Sequence, residues 1–177
     1  MKKRILSIVL CLVMVFSLLP FTASAASAVP INEETFPDPV FREYVLKIVG
    51  SSVLTEEKAQ QIEVLDVSDD NIKEVLGDRA PITSLMGIRY LRYVKDLNCS
   101  GQELKKTLNL EQNSRVEKLN CSGNQLTGLW FHKGSSLKYL TCSVNEFTAL
   151  DLSLSLIHMS EPTRHAQISY AVFCLKK

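Results

Sequence analysis

Cysteine offers this chain its most versatile chemistry. Five occur, and three of them, Cys99, Cys121 and Cys142, are separated by 22 and 21 residues. A redox pair or a structural zinc site needs cysteines a few residues apart, as in C-x-x-C. No such pair is present. His132 is the only histidine between the N-terminal apolar run and residue 154, and it follows Trp130-Phe131 at repeat positions. No Ser/His/Asp set, glycine-rich phosphate loop or metal-spaced cluster accompanies it. Three cysteines at one period instead announce a repeat. They are expected to be reduced thiols in a core column, and neither cofactor nor metal is expected.

The repeated phrase is Leu97-Asn98-Cys99-Ser100, Leu119-Asn120-Cys121-Ser122 and Leu140-Thr141-Cys142-Ser143. Residues two apart on a strand face the same side. Stacking therefore predicts a buried column of Leu97, Leu119 and Leu140, and a second of Cys99, Cys121 and Cys142, since a thiol packs as a small hydrophobe. Leu104, Leu126 and Phe147 form a third. Asn124 and Asn145 occupy the turn position, with Gln102 as a weaker substitute one unit earlier. The alternate residues form outward columns: Val64, Asp96, Lys118 and Tyr139; Asp66, Asn98, Asn120 and Thr141; Ser68, Ser100, Ser122 and Ser143.

The first unit is disguised. Val64-Leu65-Asp66-Val67-Ser68 matches Asp96-Leu97-Asn98-Cys99-Ser100, but the leucines are 32 residues apart. Residues 73–82 read as a loop inserted on the return side, where extra length is tolerated; a degenerate short repeat is the alternative. Leu85, Ile88, Leu91 and Val94 read as the packed face of the return segment.

Ahead of the repeats, Val40, Phe41, Tyr44, Val45, Ile48 and Val49 trace one helical face. Asp38 can cap that helix with Pro39 at its first position, and Gly50-Ser51-Ser52 ends it. Thr55 caps a shorter helix through Ala59.

The unit L-x-C-S-x-N-x-L-x-x-L resembles the leucine-rich repeat. Phe36-Pro37-Asp38, with Phe41, Arg42 and Tyr44, resembles the segment preceding the first repeat in secreted bacterial leucine-rich repeat proteins of the internalin kind. The resemblance covers about Ile31 to Ser153. It implies an α/β repeat: a leucine-rich repeat solenoid with a parallel concave sheet and an N-terminal helical cap. It also implies a secreted or surface-attached recognition protein whose turn asparagines bond to backbone, but not a particular ligand. Family members often carry an acidic calcium loop after the first helix; here Gly50-Ser51-Ser52-Val53-Leu54 lacks the oxygen ligands.

The expected organisation is a signal peptide over 1–28, a helical cap over 29–61, about four repeats over 62–153, and a foreign tail over 154–177. Met1-Lys2-Lys3-Arg4, the apolar run Ile5 to Phe21 and the small residues after it fit an export signal. Cys11 follows Leu10, which does not suit lipid attachment. Leu154-Ser-Leu-Ile-His-Met-Ser-Glu-Pro-Thr-Arg164 matches a translated transposase-type sequencing adapter, LSLIHISEPTR, except at Met159. Ile168 to Leu175, ISYAVFCL, matches the adapter's continuation in the same frame. The natural chain is therefore expected to continue beyond Ser153. Between Val29 and Ser153 there are 14 basic and 18 acidic residues, net −4, which argues against a nucleic-acid partner. No membrane span is expected in the mature chain.

The functional expectation is a non-enzymatic, secreted or cell-surface module that binds protein or glycan through its concave face. Asp96, Asn98, Lys118, Asn120, Tyr139 and Thr141 are the candidate contacts. The alternative is a spacer or targeting region of a larger exported enzyme. Resequencing the locus is expected to place an adapter junction near codon 154; genomic reads running unbroken through Lys177 would refute the tail reading.

Overall fold

The structure, a computed structural model, describes residues 28–147. The expected signal peptide and foreign tail lie outside them, apart from Ala28. Strand β1 (Val29–Pro30) pairs antiparallel with β2 (Val53–Leu54), and helix α1 (Pro39–Val49) lies between them. Asp38 Oδ1 accepts the Val40 and Phe41 N–H groups, both at 3.0 Å. This satisfies donors that a helix start leaves free. Gly50 ends the helix at φ +66°, the left-handed position glycine takes without strain. Val40, Phe41, Tyr44, Val45 and Val49 are buried as the pattern requires; Ile48 is 39% exposed. Helix α2 (Glu56–Gln61) starts at Thr55, whose hydroxyl accepts the Lys58 N–H.

Each subsequent coil contributes one short strand. These are β3 (Val64–Asp66), β4 (Asp96–Asn98), β6 (Lys118–Asn120) and β8 (Tyr139–Thr141), all parallel in the order β3-β4-β6-β8. The register aligns Leu65, Leu97, Leu119 and Leu140. Leu65, Leu97 and Leu119 are at most 2% exposed; Leu140, on the last described strand, is half-buried. Val67, Cys99, Cys121 and Cys142 form the next buried set.

The return side differs from expectation in two places. Residues 73–82 are not simply a loop: helix α3 (Asp69–Leu76) occupies their first part. Ser68 caps it, accepting the Asn71 N–H, and Asp69 and Asp70 place negative charge in its first turn. Ile72 remains buried, now as a helical residue. Further along, β5 (Lys105–Leu110) and β7 (Gln125–Phe131) make a second, two-stranded parallel sheet. Leu108, Leu110, Leu129 and Phe131 point inward from it, while Trp130 is 58% exposed. The first coil's return stretch forms only a 3-10 turn, Ile88–Tyr90, with Leu85, Ile88, Leu91 and Val94 all buried.

A burial contrast follows. Leu97→Ala removes a fully buried side chain and is expected to cost about 2–5 kcal/mol of stability. Val64→Ala on the same sheet, where Val64 is 69% exposed, should stay within about 0.5 kcal/mol. Denaturant titration of the two variants measures this; equal losses would mean the faces are assigned wrongly.

Candidate recognition surface

Alternation along each strand turns the residues between the buried columns outward. Asp96, Lys118 and Tyr139 stand in one row behind Val64, and Asn98, Asn120 and Thr141 in the next behind Asp66. All six candidate contacts thus lie on one four-stranded sheet, with neighbouring rungs about 4.8 Å apart. Lys118 Nζ lies 3.6 Å from Asp96 Oδ2, both groups well exposed. Tyr139 is 48% exposed, the aromatic end of its row.

The second row is held in place. Asn98 Oδ1 accepts from the Ser100 N–H and hydroxyl at 3.3 and 2.8 Å. Asn120 Oδ1 does the same with Ser122 at 3.2 and 2.6 Å, and Asp66 Oδ1 with Ser68 at 3.0 and 2.7 Å. A backbone N–H must donate, so the oxygen of each amide faces the serine. The Asn98 and Asn120 NH₂ groups therefore remain donors, and neither bonds to protein among the described residues. The serine column is less available than expected, because Ser68 is buried at the start of α3.

One row went unread in the sequence. Glu63, Lys95, Glu117 and Lys138 immediately precede the four strands and alternate in sign. Lys95 Nζ lies 2.7 Å from Glu63 Oε1, and Lys138 Nζ 2.7 Å from Glu117 Oε2. The Lys138 hydrogen bond, with the charges of Lys138, Lys95 and Lys118, holds the Glu117 carboxyl below its ordinary range. Extending the repeat alignment by one residue would have exposed this row. Its alternation cancels net charge along the sheet's rim, so the rim attracts neither polyanion nor polycation over distance.

Behind the face, the cysteines are free thiols. Burial pushes the Cys99 thiol up to about 12, with Asp66 adding to the effect. Burial also raises Cys121 strongly, and Cys142 less. Nucleophilic and metal-binding chemistry needs the thiolate, which these environments oppose. Among the described residues no His/Cys/Asp/Glu group is arranged to hold a metal ion, and no helix is long and apolar enough to cross a membrane. His132 is exposed beside the second sheet; its Nδ1 accepts the Gly134 N–H at 3.0 Å.

No family model and no curated protein matches the chain. Among solved structures it is similar to the functional domain of InlJ from Listeria monocytogenes, at 27% identity and a TM-score of 0.59. The match covers 75% of this chain but 27% of that one. That domain includes a cysteine ladder. The likeness supports an internalin-like repeat fold.

The thiols make stability pH-dependent. Folded-state pKa values raised above the unfolded thiol value, about 8.5, mean that the unfolded chain releases protons first as pH rises. Stability from this source is intact below about 8.5 and is lost as pH climbs toward the Cys99 value of about 12. Cys99→Ala is expected to flatten the alkaline decline in denaturation midpoint between those limits. An unchanged slope would show that Cys99 titrates normally.

Proposed function

We propose that the chain is a recognition module of a secreted or surface-exposed bacterial protein, binding a protein or glycan ligand through the outward, concave face of its four-stranded sheet. One observation carries this reading: Asp96, Lys118 and Tyr139, and beside them Asn98, Asn120 and Thr141, stand in register on rigid strands with side chains outward. The similarity to a surface-protein domain of the internalin kind supports the same class. Residue roles follow from chemistry. Tyr139 is the anchor, since tyrosine is enriched among residues that dominate binding. The Asn98 and Asn120 NH₂ groups offer fixed donors to carbonyl or hydroxyl oxygens. Asp96 and Lys118 set polarity. The module works by presentation and not by catalysis, and it needs no cofactor.

A spacer within a larger exported enzyme is the second reading. The self-neutralising Glu63, Lys95, Glu117 and Lys138 row favours it, because a spacer needs only solubility. An exposed tyrosine and unspent amide donors favour recognition. A binding screen of the protein against panels of proteins and glycans separates the two. Tyr139→Ala is expected to weaken a found ligand by about 2 kcal/mol or more, and Asn120→Ala by about 1 kcal/mol. A ligand whose affinity survives both substitutions does not use this face.

A further inference from the structure

The second sheet stops one strand short. β5 pairs with β7 on one side only. On its other side the first coil runs from Thr83 through Tyr90 without forming a strand. Among the described residues, the only backbone bond between residues 82–91 and 103–112 is Glu103 N–H to Ile82 O, at 3.1 Å. Beyond it the two segments part around a cavity of about 380 Å³, with residues from Thr83 to Arg89 on one wall, β5 on the other and Leu126 between; they meet again where Asn113 Nδ2 donates to the Ile88 and Leu91 carbonyls, both at 3.0 Å. This volume falls at the small end of ligand sites.

The cap keeps the slot open. Asp38 Oδ2 accepts the Thr83 N–H, the Thr83 hydroxyl and the Ser84 N–H at 2.9, 3.0 and 3.3 Å. Gly87, at φ +108°, is pressed against Phe36 and Thr35 so closely that a Cβ there would sit 2.5 Å from the Phe36 ring. The coil is thus bound to the cap and cannot swing across to pair with β5.

We propose that this slot receives an extended peptide segment of a partner protein, which adds a strand to the free edge of β5. Three features select that occupant. The cavity lies where the sheet's next strand would lie, and an open edge presents unpaired backbone donors and acceptors. Its apolar wall includes Leu85, Leu108 and Met86, the last 59% exposed; such a wall takes alternate side chains of a strand, and methionine adapts to them. Arg89 and Lys105 line it against one carboxylate, Glu111, and neither cation forms an ion pair among the described residues. The slot therefore favours a peptide carrying an acidic residue. It is separate from the four-stranded face, so either site can fail alone.

The test is a titration of the ¹⁵N-labelled protein with capped, valine-rich pentapeptides bearing aspartate, serine or lysine at one position. Each is also made as a copy N-methylated at alternate residues. The aspartate peptide is expected to shift amides from Ser84 to Arg89 and from Lys105 to Asn109, with Kd on the order of 1 mM. Its N-methylated copy should bind roughly tenfold more weakly. Lys105→Glu, an exposed change, should reverse the preference between aspartate and lysine peptides, while Tyr139→Ala should leave binding intact. Equal binding of the methylated copy, shifts confined to β4, β6 and β8, no shifts with any peptide, or a chitin trisaccharide shifting these amides in the peptides' place would each overturn the proposal.

Discussion

Three amide side chains, Gln102, Asn124 and Asn145, hold successive coils together from inside. Asn124 Nδ2 donates to the Cys99 carbonyl of the preceding coil at 2.8 Å and to the Cys121 carbonyl of its own at 3.1 Å, while its Oδ1 accepts the Leu104 N–H at 3.0 Å. Asn145 repeats the pattern on Cys121, Cys142 and Leu126. A buried backbone group without a partner costs about 1–3 kcal/mol, and every coil must turn inward-facing carbonyls at this point. The amide ladder satisfies them across the coil boundary, which fixes both the stacking distance and the register of the strands beside it. Gln102 bridges to Val67 O at 2.9 Å and accepts the Ile82 N–H at 2.7 Å. Its longer arm reaches the neighbour but makes no bond to the Cys99 or Ser100 carbonyl of its own coil. That is the physical content of the weaker turn expected there.

The N-terminal helical segment shapes the first coil through direct contacts. Asp38 uses one oxygen for its own helix and the other for residues 83 and 84. Phe36 packs on Phe41 and Tyr90 at 5.7 and 5.9 Å between ring centroids. The first coil is therefore shaped by the cap and the later coils by each other. This is why the second sheet begins only at β5; near its start the register with β7 shifts between Lys106 and Thr107, leaving Thr127 unpaired, and Lys106 takes φ +63°.

The repeat phrase made the four-stranded register legible, because a fixed period with period-two alternation leaves one alignment. The return side was harder. Ile72 matched the third repeat column, which hid that Ser68, Asp69 and Asp70 also spell a helix start; one residue satisfied both patterns. β5 shows only Leu108 and Leu110 as alternating buried positions, too short a run to distinguish from an irregular return. Trp130 was assigned with Phe131 to the repeat, yet adjacent strand residues must face opposite ways. The candidate contacts were legible as positions. Their chemistry was not, since the sequence cannot say that Ser100 and Ser122 engage the asparagine oxygens and leave the NH₂ groups outward.

Alternation also separates what folds the chain from what it presents. Along the four-stranded sheet Leu and then Cys, or Val67 in the first unit, face the core, while the residue between them faces out. Burial raises the pKa of the inward thiols and so opposes the thiolate that reactive chemistry would need. The outward residues carry little packing, as the exposure of Val64, Lys118 and Tyr139 illustrates. Substitution at Asp96, Lys118 or Tyr139 therefore changes the presented pattern without disturbing the amide ladder or the leucine column. A scaffold with that separation can hold its fold while its surface diverges. This is why likeness of fold with InlJ says much about how this chain is built and little about which molecule its surface meets.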